Sequence, residues 1–183
     1  MTTTPAFGTP QLNDAAGTEL DLARRVRRLA ELGLSEQPDS EFDAFATELA
    51  NAAGTPYAMV NLVSDRRQYF AGLHVPDPSS YLPPVNRVMH RDHGYCPDVM
   101  ARAKPLVLPD VYSSPRFAGN AVVDLIGIRT YAGAPLIDTD GIVLGTVCVV
   151  GTEPRPLSEG RPMLDLIKTH RDSLMGLIHH RRT

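Results

Sequence analysis

At 183 residues, with a hydrophobic share of 43% and a charged share of 21%, the chain is long enough for one domain with a real core and too short for two comfortable ones. A formal charge of -3 and two small basic clusters, Arg24-Arg25 with Arg27-Arg28 and His179 to Arg182, leave no electrostatic footprint for nucleic acid and read as solvated helix faces. No apolar run approaches the ~20 residues of a membrane helix. The opening MTTTPAFGTP lacks the charged and apolar regions of a signal peptide, and two cysteines do not make a disulfide framework, so a cytoplasmic protein with reduced thiols is expected.

Residues 1–17, rich in Thr, Pro, Gly and Asn without periodicity, read as a flexible arm ahead of a single domain over 18–183. From Glu19, Leu22, Val26, Leu29 and Leu32 recur at helical intervals up to Gly33, a suitable C-terminal cap. Asp39 or Ser40 caps a second helix with Phe42, Phe45, Ala46, Leu49 and Ala53 inside and Gly54 at its end. Ala58 to Val63 and Gln68 to Gly72 read as a hairpin across Ser64-Asp65-Arg66. Pro76, Pro78, Pro83 and Pro84 make His74 to Val88 an irregular loop over one edge, the kind that often serves as a lid. A short helix over Tyr95 to Ala103, a short strand over Pro105 to Leu108 and a helix over Ala118 to Ile126 follow. The last element is a helix from Ser158 to about His180, with Met163, Ile167, His170, Leu174 and Leu177 or Ile178 on one stripe and Pro162 in its first turn.

Between these helices lies the organising stretch, Ile128 to Val150. Two apolar runs flank Asp138-Thr139-Asp140-Gly141, a strong hairpin signal. With a two- or four-residue loop, Arg129, Tyr131, Pro135 and Ile137 share a face with Ile142, Leu144, Thr146, Cys148 and Val150. Ala132, Ala134, Leu136, Val143, Val147 and Val149 form the other face. Neither face alternates with water, so a sheet covered on both sides is expected.

Leu32-Gly33-Leu34 with Phe42-Asp43, and Ala58 to Val63 with Arg67-Gln68-Tyr69-Phe70, resemble the opening of bacterial GAF domains. The resemblance continues through Arg91 to Cys96, Leu106 to Asp110, Ser114 to Phe117 with Asn120, Ile128 to Leu136 and Leu144 to Val149, and ends on Glu153-Pro154-Arg155 with Leu157-Ser158. It implies an α+β fold in α/β/α layers: a central antiparallel sheet of about six strands, terminal helices on one face, pocket loops and short helices on the other. It also implies a sensory domain that binds a small molecule and dimerises through its terminal helices. Such a domain usually precedes an output domain, and this chain ends where one would begin, so either a separate signalling protein is expected to carry the signal or the pocket is expected to do its own chemistry. Fold does not identify the ligand or any cofactor.

Cys96 is the first candidate site residue: it lies near the start of a short helix with Arg91 and His93 close in sequence, a setting for a thiolate as well as for an inert packed thiol. Cys148, between Val147 and Val149, reads as a buried structural thiol, a pocket wall rather than a nucleophile. His90, His93 and Cys96 recur every three residues as metal ligands on one turn would, yet Asp92 and Gly94 argue against a regular helix there, and no metal is expected. Arg129 requires a carboxylate if buried, Asp110 or Asp124, and is either a structural ion pair or an anion-binding group. Phe70, Phe117, Asn120 and Tyr131 complete the ligand-facing set, with simple packing as the alternative for the aromatic residues. The stripe of the last helix is read as a dimer seam, against packing on the sheet.

Three functions compete: a ligand-binding regulatory domain, a thiol-dependent reductase of the free methionine sulfoxide type using Cys96, and an interaction domain whose pocket is filled by its own side chains. The second needs a resolving thiol within reach, and a strand-bound Cys148 argues against it.

Overall fold

In the computed structural model, which describes residues 12–181 and side chains from residue 19 onward, the periodic segments fold as helices and the valine-rich runs as strands. Helix α1 (Leu12–Glu31) takes in residues 12–17 of the expected arm, and residues 1–11 lie outside the described residues. Gly33, with φ 67°, ends its turn. Helix α2 (Ser40–Ala53) is capped by Asp39, whose side chain accepts from the Glu41 and Phe42 N–H groups, and is closed by Gly54 at φ 64°.

Strands β1 (Tyr57–Val63) and β2 (Arg67–His74) form the first hairpin. The proline-rich segment is irregular except for a turn of 3-10 helix at Pro78–Ser80, but its end is not: Val88–His90 is strand β3, paired to β2 through Arg67↔His90, Gln68↔Met89 and Tyr69↔Val88. Three residues are too short for a periodic signal, and partner backbone alone makes this a strand. Helix α3 (Cys96–Arg102) and strand β4 (Leu106–Leu108) follow. The expected helix over 118–126 is two pieces, α4 (Pro115–Ala118) and α5 (Ala121–Ile126), because the Asn120 side chain caps α5 and starts a new helix there. Strands β5 (Thr130–Ile137) and β6 (Val143–Gly151) form the central hairpin, and helix α6 (Gly160–His180) ends the described chain.

All pairings are antiparallel and the sheet order is β3-β2-β1-β6-β5-β4. Both faces are covered. Ala58, Val60, Leu62, Ala132, Ala134, Val147 and Val149 meet α1, α2 and α6. Tyr57, Met59, Phe70, Tyr131, Cys148 and Val150 meet the short helices. The stripe Met163, Ile167, Leu174 and Ile178 is buried in the first of these cores, so it packs within the chain and is not a free dimer seam. His170 of the same stripe meets the Phe45 ring edge-on at 5.9 Å.

The register of β5 on β6 follows the expected parity from Thr130↔Gly151 to Leu136↔Gly145, then shifts, with Ile137 opposite Val143. Leu144 is the extra residue, and Ile142 and Leu144 join the core under the long helices instead of the Tyr131 face. The cause is the loop, which spans 138–142 rather than two or four residues. Asp138, buried, accepts from the Asp140 and Ile142 N–H groups, each at 2.9 Å, and from Arg28 Nε of α1 at 2.5 Å. Next to the bulge, Gly145 lets β6 approach β1, since a Cβ there would run into the Asn61 carbonyl.

Burial alone would push the Asp138 carboxyl up, but hydrogen bonds from the Ile142 N–H, Arg28 and the Asp140 N–H hold it below the usual carboxylate range. A depressed folded-state value adds stability that is present above the unfolded value of ~4 and is lost as pH falls through the folded one. Asp138→Asn is therefore expected to lower the urea midpoint at pH 7, and the gap to the unaltered protein should narrow as pH drops below about 4. A gap that is constant with pH contradicts this role.

Candidate functional site

The face of the sheet away from the long helices is roofed by α3, α4, α5 and the loop 75–87. Its residues close around an apolar cavity of about 30 Å³, lined by Tyr57, Met59, Gln68 and Phe70 from the first hairpin, Tyr131, Cys148 and Val150 from the second, Tyr95, Cys96, Val122 and Ile126 from the short helices, and Val85 and Met89 from the lid segment. Such a volume holds about one water-sized guest.

Tyr131 reaches the roof because it lies over Gly133, where any Cβ would collide with its ring. Its hydroxyl is 3.3 Å from Cys96 Sγ, and Tyr95 packs edge-on against it at 5.2 Å. Tyr95 donates its own hydroxyl to the Phe117 carbonyl at 2.7 Å and meets the Phe117 ring at 5.7 Å. Burial pushes the Tyr131 hydroxyl well above the ordinary phenol range and that of Tyr95 up to about 12, so both stay protonated donors.

Cys96 and Cys148 meet in this layer, both buried, with their Sγ atoms 3.8 Å apart. Strand-bound Cys148 is thus within reach of Cys96, contrary to the expectation that its strand keeps it away. A hydrogen bond from Cys148 does most to hold the Cys96 thiol below the ordinary thiol range; burial opposes it, and Thr146, Tyr131 and Asn61 add to it. Cys148 moves the other way, raised by its hydrogen bond with Cys96 and by burial.

Beside the thiols lies a buried polar row that the sequence reading did not single out. Asn61 Nδ2 donates to Gln68 Oε1 at 2.8 Å and to Thr146 Oγ1 at 3.4 Å, and Gln68 Nε2 donates to the His90 and His93 carbonyls at 2.9 and 2.8 Å. The signal was available: Asn61 and Thr146 interrupt otherwise apolar strands. Gln68 also faces an open cleft of about 560 Å³ on its other side, between α1, α3 and the 138–142 loop, with Arg25, Arg91 and Pro97 in its walls.

Of the predicted site residues, Phe70, Cys96, Tyr131 and Cys148 are brought together at the cavity. Asn120 stands behind it: Oδ1 accepts from the Gly94 N–H at 3.0 Å and Nδ2 donates to the Gly94 carbonyl at 2.7 Å, tying α5 to the turn before α3. Arg129 and Asp110 pair with each other at 3.1 Å, outside the cavity, and Arg129 stacks over Tyr112 at 4.4 Å. Of the two candidate carboxylates, Asp110 is the partner, and the guanidinium holds the Asp110 carboxyl below its usual range. The His90 and His93 rings stack on each other at 4.9 Å, and among the described residues no group of three His, Cys, Asp or Glu side chains is placed to hold a metal.

The family model of the GAF domain matches residues 37–168. The chain belongs to the GAF domain family. A cyclic di-GMP phosphodiesterase of Pseudomonas aeruginosa is 31% identical over 132 residues; the match takes in 70% of this GAF chain and 21% of that protein, so the chain spans about a fifth of that relative's length. Among solved structures, the A. aeolicus nlh2 GAF domain is 15% identical with a TM-score of 0.59, over 90% of this chain and 99% of that one. The GAF domain of an Acinetobacter phosphoenolpyruvate-protein phosphotransferase is 18% identical with a TM-score of 0.58, over 89% and 95%. Free methionine-R-sulfoxide reductase of Neisseria meningitidis is 15% identical with a TM-score of 0.54, over 97% and 98%. At these identities the structures share the fold. No helix among the described residues is long and apolar enough to cross a membrane.

Asn120→Ala is expected to destabilise the domain by about 2 kcal/mol, from one helix cap and two loop hydrogen bonds lost together. Urea denaturation measures it, and a change under about 0.5 kcal/mol would show that the turn before α3 is held by other means.

Proposed function

We propose that this GAF domain is a cytoplasmic regulatory module that senses a small, largely apolar molecule in the cavity between Phe70, Tyr131, Cys148 and α5, and passes the change on through a dimer or a partner protein. The observation that carries the reading is the way the site is closed. The lid segment 75–87 is anchored at its far end by Arg87, which pairs with Asp43 at 2.9 Å and donates to the Phe70 and Ala71 carbonyls, while at the cavity mouth it is tied by Tyr57 Oη donating to the Pro83 carbonyl at 2.5 Å, beside Val85 in the cavity wall. Ligand pockets of ordinary size run to several hundred Å³. Entry of a guest therefore requires lid and short helices to move, and that movement is the signal. Output control over cyclic di-GMP turnover is a reading supported by the Pseudomonas aeruginosa relative, and a cyclic dinucleotide itself is far too large and polar for a cavity of about 30 Å³. Exposed Leu20 and Val26 on α1 support dimerisation through that helix, in place of the α6 stripe.

The small cavity equally favours one other reading, an interaction domain whose pocket is filled by its own side chains. Native mass spectrometry of protein purified without denaturation separates the two and also reads the oligomer. The expected result is a dimer carrying an extra small-molecule mass that disappears when Ile126→Trp fills the cavity. Bare chain mass, even after incubation with a cell extract, overturns the sensory reading in favour of the self-filled one.

A further inference from the structure

Among the described residues the two cysteines are the thiol pair of the cavity wall, and their surroundings are not those of packed structural thiols. A structural cysteine sits inertly among apolar groups. Here the Tyr131 hydroxyl lies 3.3 Å from Cys96 Sγ, and the buried Asn61, Gln68 and Thr146 row lies beside the thiols. Asn61 is fully buried, and its Oδ1 has no partner among the described residues. Cys148 Sγ in turn contacts Met59 Sδ at 3.8 Å, so three sulfur atoms run in sequence through the floor of the site.

We infer that Cys96 and Cys148 form a peroxide-reactive dithiol that closes to an intramolecular disulfide. The reactant class is hydrogen peroxide, which is close to water in size and fits the cavity beside the thiols. Gln68 lines both this cavity and the open cleft, and Pro97, next to Cys96, lies in the cleft wall, so a shift of the Gln68 side chain would join the two. Cys96 is the attacking sulfur because the Tyr131 hydroxyl, 3.3 Å away, is placed to donate to its thiolate and because its neighbour Pro97 lies in the wall of the open cleft. Its sulfur bonds to one peroxide oxygen, the O–O bond breaks, and the leaving hydroxide takes up a proton as the first water. The product is Cys96 sulfenic acid, sulfur oxidised by two electrons and peroxide oxygen reduced. Cys148 then attacks the Cys96 sulfur, the S–O bond breaks, and hydroxide leaves with the Cys148 proton as the second water. Two thiols and one hydrogen peroxide become one disulfide and two waters. The sulfur atoms need only close from 3.8 Å to the ~2.0 Å of a disulfide, which pins α3 to β6.

This inference stands whether or not the cavity takes a ligand. It is tested on the whole chain, reduced, freed of reductant and exposed to hydrogen peroxide in modest excess. The expected product has lost two hydrogen atoms in intact mass, has no titratable thiol after denaturation, yields a peptide joining the Cys96 and Cys148 segments, and regains both thiols with dithiothreitol. In Cys148→Ser, dimedone should trap a sulfenic acid on Cys96, and Cys96→Ser should react with peroxide at least about tenfold more slowly than the unaltered chain. The wild-type mass reading needs no variant to fold. Both thiols surviving conditions that oxidise free cysteine completely, Met59 sulfoxide with both thiols intact, or a disulfide only between chains would each overturn it.

Discussion

Strand β6 is the constraint on which the rest depends. It is bonded to β1 on one side and β5 on the other, and it is covered on both faces, so every backbone group and every side chain along Leu144 to Gly151 is inside the protein. Alternation along one strand then sorts residues between two unlike environments. Val147 and Val149 go to a core of long helices, while Thr146, Cys148 and Val150 go to the site. Any slip of register by one residue would exchange the two sets. The bulge at Leu144 absorbs the one misfit, at the loop end, and leaves the thiol and Tyr131 in register.

The two layers are built to different standards. Helices of 14 and 21 residues, α2 and α6, cover one face with continuous apolar stripes. Pieces of 7, 4 and 6 residues cover the other, and none is long enough to be stable alone. Besides their apolar contacts with the sheet, a small number of polar ties between backbone and buried or half-buried side chains hold this layer: Tyr57 to Pro83, Asn120 to Gly94, Tyr95 to Phe117, Gln68 to the turn at His90. A layer held in this way can open without unfolding the sheet, which is the property a ligand-gated or oxidant-reached site requires.

The parts of this architecture that sequence periodicity can specify were legible from it. Asp39, Gly33 and Gly54 mark helix ends by local chemistry, and the valine-rich ribbons on either side of Asp138 can only be a doubly covered hairpin. Fold and family followed once those blocks were in order. What stayed hidden depends on distance in space. Strand β3 exists because β2 offers it a partner. The bulge exists because Asp138 collects two N–H groups and Arg28 from a helix 110 positions earlier. Cys148 looked like core because its sequence neighbours are valines, yet Cys96, 52 positions away, is its contact. The Asn61, Gln68 and Thr146 row was visible as polar letters in apolar strands, and only pairing could bring the three together.

Native-state hydrogen exchange, resolved by residue, tests most directly whether the site layer is a separately opening unit on a rigid sheet. Amides of β1, β5 and β6 are expected to exchange only through global unfolding, while those of α3, α5 and β3 exchange through an opening of distinctly lower free energy. Exchange of the short helices as slow as that of the central strands, with one common dependence on denaturant, would mean that the two layers open only together and would contradict it.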